Sequence, residues 1–171
     1  MALNFDGTND YFSVPAATSI NNLGPATWMV WALIDAFPGS SLRIWQKGNA
    51  VAGSARSVSF VRPSTSLRLN IDYSTTGFDR TASLNALTLG RWDHWTVTWD
   101  GTTTAANATI YKNAVAETTY NATTNGAGVV SDLGARVTMG ANPDALADMD
   151  GKLAHLQVWN RVLSTDEIRQ A

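Results

Sequence analysis

Cysteine is absent from this 171-residue chain. That excludes a disulfide framework, a thiolate nucleophile and any Cys-bearing zinc or iron–sulfur site, so the fold must hold by packing alone. Glutamate is almost absent too: only Glu117 and Glu167 occur. Neither belongs to a closely spaced acidic pair on one strand, the arrangement a glycosidic bond needs on its two sides. Histidine is limited to His94 and His155, without metal-motif spacing, and no Gly-x-Ser-x-Gly elbow accompanies them, which argues against a Ser-His-Asp hydrolase. Charged residues make up 15% of the chain, the formal net charge is −2, and no Lys/Arg run exists. Nucleic acid and anionic membrane surfaces are therefore not expected as partners. The longest apolar run, Trp28 to Ile34, is far too short to cross a bilayer. The first residues, Met1 to Gly7, carry no basic segment followed by an apolar stretch, so the expectation is synthesis in the cytoplasm without a signal peptide, unless a leader has been trimmed.

What is present points to β-structure. Hydrophobic residues reach 44%, and the length suits one domain, residues 1–171, with a two-layer core. Short stretches rich in Val, Ile, Thr, Trp and Tyr alternate with Gly, Asn, Asp, Ser and Pro. Strands are expected at Leu3 to Phe5, Asp10 to Val14, Ala26 to Ile34, Leu42 to Gln46, Ser57 to Val61, Leu67 to Asp72, His94 to Trp99, Ala108 to Lys112, Arg136 to Gly140 and Lys152 to Trp159. In the clearest of them, Trp95, Val97 and Trp99 share one face and His94, Thr96 and Thr98 the other, before the Asp100-Gly101 turn. One helix is expected, at the C-terminus: Ser164-Thr165-Asp166-Glu167 spells a capping box. The polar stretches Thr102 to Asn107 and Thr118 to Gly128 read as long loops or edge hairpins.

The order of several landmarks resembles the laminin-G-like jelly-roll domains of the concanavalin A-like lectin/glucanase superfamily. Leu3-Asn4-Phe5-Asp6-Gly7 through Asp10-Tyr11 is similar to the family's first hairpin. Ala26 to Trp31 and Trp45-Gln46-Lys47-Gly48 are similar to its early core strands, and Gly90-Arg91-Trp92-Asp93-His94 through Asp100-Gly101 to its central strand and turn. Asp150-Gly151-Lys152-Leu153 through Trp159 to Ile168 is similar to its last strand and closing helix. The resemblance implies an all-β, two-sheet antiparallel jelly-roll sandwich with a short C-terminal helix, in which first and last strands pair. It also makes Trp31, Trp95 and Trp99 internal. The chain departs from the pattern at Ala154 and His155, where acidic residues are common in the family, and at Ala114, where a turn glycine is common.

Two candidate sites follow. An exposed indole offers an apolar platform for a sugar face and an N–H at its edge, so Trp28 and Trp45, with Tyr73, Phe78 and Tyr120, are the aromatic candidates for a ligand surface. The acidic cluster Asp144, Asp148 and Asp150 precedes the last strand. Pairing of first and last strands would bring Asp6 and Asp10 beside Asp148 and Asp150, a set of oxygens that suits calcium, against the plainer reading that these residues form turns. His94 is expected on the sheet face opposite Trp95, and His155 on the surface or between subunits.

The functional expectation is a non-catalytic interaction protein with lectin-like carbohydrate binding, serving as a virion-surface component (decoration or tail-associated) or in adhesion. The alternative is a carbohydrate-binding module from a larger secreted, glycoside-active protein, which would place it outside the cell. Candidate partners are a glycan or a protein surface, including capsid or tail proteins, and a second copy of the chain.

Overall fold

The computed structural model describes residues 1–37, 41–48, 53, 55–61, 66–83, 87–141 and 148–171. Among these, thirteen strands form two antiparallel sheets. In chain order they are β1 (Ala2–Asp6), β2 (Phe12–Val14), β3 (Ala26–Ala36), β4 (Ser41–Lys47), β5 (Ala55–Val61), β6 (Ser66–Asp72), β7 (Phe78–Ala82), β8 (Trp92–Trp99), β9 (Thr109–Lys112), β10 (Val115–Ala116), β11 (Tyr120–Thr124), β12 (Val137–Met139) and β13 (Asp150–Trp159). A six-stranded sheet runs β1-β13-β3-β8-β9-β10, and a seven-stranded sheet runs β11-β7-β6-β5-β4-β12-β2. The expected jelly-roll sandwich is what forms. First and last strands pair antiparallel, with Asp6 opposite Asp150.

Alternation of side chains decides which residues fill the space between the sheets. On β3, Trp28, Val30, Ala32 and Ile34 point inward, and on β8, Trp95, Val97 and Trp99 do the same; all are buried. The facing sheet contributes Leu42, Ile44 and Trp45 of β4, Val58 of β5 and Leu67, Leu69 and Ile71 of β6. Ile44 and Trp45 are neighbours yet both point inward, because a bulge between Arg43 and Trp45 shifts the register by one residue. Two aromatic contacts bridge the layers: Trp28 with Trp45, centroids 5.5 Å apart, and Phe78 with Trp99, 6.1 Å apart. Edge-to-face and tilted pairs of this kind add to the area they bury.

Buried charge is handled by pairing. Asp132 accepts hydrogen bonds from Lys47 Nζ (3.3 Å), from Arg56 and from the Asn22 amide (2.6 Å), tying two loops to the end of β4 and β5. At the start of β8, Asp93 receives Asn113 Nδ2 at 2.9 Å and ion pairs from Arg91 at 3.0 Å and Lys112 at 3.3 Å. Burial alone would raise the Asp93 carboxyl, but those three donors and the Lys112 charge hold it below its ordinary value.

The helix α1 (Thr165–Gln170) carries the expected capping box: Ser164 Oγ accepts from the Glu167 amide and the Glu167 carboxylate accepts from the Ser164 amide at 2.8 Å. Leu163 and Ile168 pack on Met29 and Tyr111, so the helix covers part of the outer face of the six-stranded sheet. Three strands add to those expected. β7 places Phe78 fully inside the core, β10 follows Ala114, and β11 is an edge strand within Thr118 to Gly128, the stretch read as a long polar loop or edge hairpin.

Candidate functional site

The outer face of the six-stranded sheet beyond the reach of α1 is open, and it is aromatic. On β3 the parity that sends Trp28 inward sends Trp31, three residues on, outward, and Trp31 is 37% exposed. The expectation that Trp31 is internal is thereby corrected. Trp92, at the start of β8, shares the outward parity of His94 and is 36% exposed. His94 lies opposite Trp31 in the β3–β8 ladder, and Trp92 opposite Leu33, which sets the two indoles diagonally, about 7–8 Å apart at Cα. The imidazole of His94 is 8% exposed and stacks against Trp31 with centroids 5.2 Å apart. Burial pushes its pKa down, so the neutral ring is favoured beneath the indole. Its main chain is pinned as well: the His94 amide donates to Asn113 Oδ1 at 2.8 Å, and the Asn113 amide donates to the His94 carbonyl at 2.7 Å.

The third wall comes from β13. Ala154 lies opposite Trp31, and a bulge between Ala154 and Gln157 turns His155 out to solvent with φ of 51°. Trp31, Trp92, Ala154 and His155 line a cleft of about 280 Å³. Chemically it offers two indole faces, a small floor at Ala154 and one exposed imidazole. Among the described residues that line it there is no carboxylate.

The aromatic residues expected at a ligand surface are elsewhere. Trp28 and Trp45 are 2% exposed each and pack on one another between the sheets. Phe78 is fully buried against Trp99, and Tyr73 is buried with its ring packed close to Gly126. Tyr120 is half-buried: its hydroxyl accepts from the Ile110 amide and donates to the Glu117 carbonyl, and the Arg80 guanidinium lies 3.2 Å from its ring centroid. Four of the five are buried, and one face of the Tyr120 ring is covered by Arg80. The signal that locates Trp31 and Trp92 is in the sequence, as strand parity, but the outward turn at His155 depends on a bulge that periodicity does not encode.

The acidic residues are brought to one end of the sandwich, where their oxygens serve the first hairpin. Asp6 Oδ1 accepts from the Thr8 amide at 2.9 Å, Asp10 Oδ2 from the Asp6 amide at 3.1 Å and Asp148 Oδ2 from the Asn9 amide at 3.4 Å. Asp150 pairs with Asp6 in register and packs against Gly7. Asp148 Oδ1 is buried without a partner, but among the described residues no three Asp, Glu or His side chains converge as a cation would require. Asp6, Asp10 and Asp148 thus serve the turn hydrogen bonds of the first hairpin. Asp144 lies outside the described residues.

The two glutamates are likewise engaged. Glu117 is buried and its carboxylate accepts from the Thr118 and Thr119 amides. Glu167 is held by Arg161 and the Ser164 amide, which bring its pKa down to about 2.

Comparison with known proteins places this architecture. The profile of the concanavalin A-like lectin/glucanases superfamily (laminin-G type) matches residues 6–169. No curated protein matches the chain. Among solved structures, the fold is similar to the native heptameric SAP-like pentraxin from Limulus polyphemus, with a TM-score of 0.63 and 17% identity over 98% of this chain and 79% of the pentraxin. It is also similar to the binding domain of botulinum neurotoxin serotype G, with a TM-score of 0.68 and 11% identity over 99% of this chain and 41% of that domain. A third similarity is to Trypanosoma rangeli sialidase, with a TM-score of 0.66 and 17% identity. There 98% of this chain aligns with 26% of the enzyme, so the chain spans about a quarter of the sialidase's length.

Proposed function

The chain belongs to the concanavalin A-like lectin/glucanase superfamily, and from that premise we propose that it is a non-catalytic binding domain whose ligand is a carbohydrate held on Trp31 and Trp92. The observation that carries this reading is the pair of half-exposed indoles lining one cleft with His155, on a sheet face that α1 covers only in part. A large exposed aromatic group on a folded domain is the exception that asks for a ligand, and indoles suit the apolar faces of pyranose rings. The buried His94 ring beneath Trp31 restricts that indole before any ligand arrives, which lowers the entropy cost of binding. His155 supplies a hydrogen-bonding group at the rim of the cleft.

The reading is non-catalytic because neither glutamate is free and, among the described residues, no acid lines the cleft. It also agrees with the company of the fold, which includes structures titled as binding domains. Screening the purified chain against a panel of immobilised neutral and acidic glycans tests it. At least one glycan class is expected to bind wild type and to lose binding in Trp31→Ala and Trp92→Ala while both variants stay folded. Retention of all glycan binding in the double variant, or binding to none of the panel, would contradict it.

A further inference from the structure

The wall that β13 gives to the Trp31 cleft departs from plain strand geometry at one residue. Ala154 lies opposite Trp31 and Gln157 opposite Met29, so His155 and Leu156 together face the single residue Val30. One extra residue on one strand is a bulge. Val30 is buried between the sheets and Leu156 packs against the same core, which leaves His155 as the residue the bulge adds to the outer face. Its side chain is exposed there and lines the cleft with Trp31, Trp92 and Ala154.

The backbone of His155 has a φ of 51°, in the left-handed region. A side chain at such a φ has its Cβ crowded against the following carbonyl oxygen, and glycine is the residue that left-handed bulge positions ordinarily take. An imidazole at 155 therefore strains the fold where glycine would not. It makes no hydrogen bond or ion pair among the described residues, so the fold gains no polar contact from it. Residues held in sparsely populated backbone regions cluster at ligand sites, and this one stands on the wall of a cleft. No Lys, Arg, Asp or Glu lines that cleft among the described residues. Lys152, in the row of Leu33 and Trp92, is paired with Asp35 at 3.7 Å, and Arg91, next to Trp92, with Asp93 at 3.0 Å, so the cations beside the cleft have carboxylates of their own.

We propose that His155 is the specificity-determining residue of this cleft: the left-handed bulge holds its imidazole where it hydrogen-bonds a hydroxyl of a neutral sugar ring packed on Trp31 and Trp92. In its neutral form the ring has one N–H donor and one bare nitrogen acceptor. A hydroxyl both donates and accepts, so it meets whichever nitrogen faces it. A carboxylate only accepts, so it meets the N–H alone, and an acidic sugar would also bring its charge against two apolar indole faces with no unpaired cation on the lining. Neutral sugars are therefore the class selected. The inference rests on the reading that the cleft binds a carbohydrate, and adds which class it takes and which residue makes the choice.

The test follows the Trp31 and Trp92 indole N–H signals of the full chain by 1H–15N NMR at about pH 8, above the range in which histidines ordinarily take up a proton. The probes are the methyl glycosides of D-glucose, D-galactose, D-mannose and N-acetyl-D-glucosamine, with D-glucuronate and D-galacturonate as acidic counterparts. At least one neutral glycoside is expected to shift both indoles saturably, and both uronates to bind several-fold more weakly. His155→Gly is expected to weaken that glycoside roughly tenfold, the loss of one hydrogen bond, while melting no lower than wild type. His155→Asn, which tolerates positive φ and keeps a donor and an acceptor, is expected to weaken it less. A uronate that binds as tightly as the neutral sugars, or a His155→Gly variant that melts well below wild type, would overturn the assignment. A glycoside that shifts both indoles with equal affinity in wild type and His155→Gly would overturn it while leaving the carbohydrate reading in place, whereas no shift of either indole by any probe would overturn both.

Discussion

Trp31 and His94 stack across two hydrogen-bonded strands, their ring centroids 5.2 Å apart and their planes 34° from parallel. One ring is buried and the other half-exposed, so the inner imidazole acts as a seat for the outer indole. A surface indole without such a seat would sample several rotamers, and a ligand would have to select one of them at an entropic cost. The seat is itself held by Asn113, which sits in the turn between β9 and β10 with φ of 50° and bonds both His94 backbone groups and Asp93. The path from a tight turn to a presented aromatic face is thus a short chain of named contacts.

Removing an indole from each face of β8 and β3 is expected to have unequal effects. Trp95→Ala empties a fully buried position between the sheets and is expected to cost about 3–5 kcal/mol, whereas Trp31→Ala, on the open face, is expected to cost about 1 kcal/mol or less. Urea denaturation of the two variants measures both. Equal losses would mean that the two faces have been assigned wrongly.

Gly140 follows β12 with φ of 86°, and a Cβ placed there would overlap the ring of Phe5. Gly140→Ala is expected to destabilise by about 2–4 kcal/mol, from the positive φ and the displaced ring together. Thermal denaturation checks it. A variant as stable as wild type would show that the first strand is not packed against β12 as described.

His94 predicts a pH dependence. Its folded pKa is lowered by burial from an unfolded value near 6.5, so the folded state binds fewer protons than the unfolded chain between the two values. The stability linked to this group is therefore complete above about pH 6.5 and is lost as pH falls through the folded pKa. Between about pH 7 and pH 5 wild type is expected to lose stability more steeply than His94→Gln. Parallel curves would remove His94 as the cause.

If the carboxylates of Asp6, Asp10 and Asp148 serve only the backbone amides they accept from, calcium is expected to leave the protein unchanged. A ligand that binds only the folded state raises its melting temperature. Melting curves in calcium and in chelator are expected to superimpose. A chelator-sensitive shift that disappears in Asp148→Asn would restore the metal reading.

Much of the architecture was legible in local pattern. Trp95, Val97 and Trp99 alternate with His94, Thr96 and Thr98, which assigns β8 and its faces without further information. Ser164 and Glu167 announce α1 because a capping box needs only that spacing. The site was less legible. Trp28 and Trp31 are an odd number of positions apart and cannot share a face of one strand, so parity alone separates core from surface there, and resemblance to a fold had placed Trp31 inside. β7 was hidden because Phe78-Asp79-Arg80-Thr81-Ala82 is half polar, Arg80 being folded back to the Ala108 carbonyl at 3.0 Å and to the Tyr120 ring. The bulges at Arg43 and His155 change parity by one residue through contacts with neighbouring strands, and nothing in the local sequence marks them.

The central claim, that Trp31 and Trp92 hold a saccharide while Trp28, Trp45, Trp95 and Trp99 build the core, is tested most directly by following the tryptophan indole N–H signals in 1H–15N NMR during titration with a glycan identified by the panel. The signals of Trp31 and Trp92 are expected to move saturably together, and those of Trp28, Trp45, Trp95 and Trp99 to stay in place. Movement of the core signals without Trp31 and Trp92, or no movement of any indole by a glycan that binds, would contradict the account.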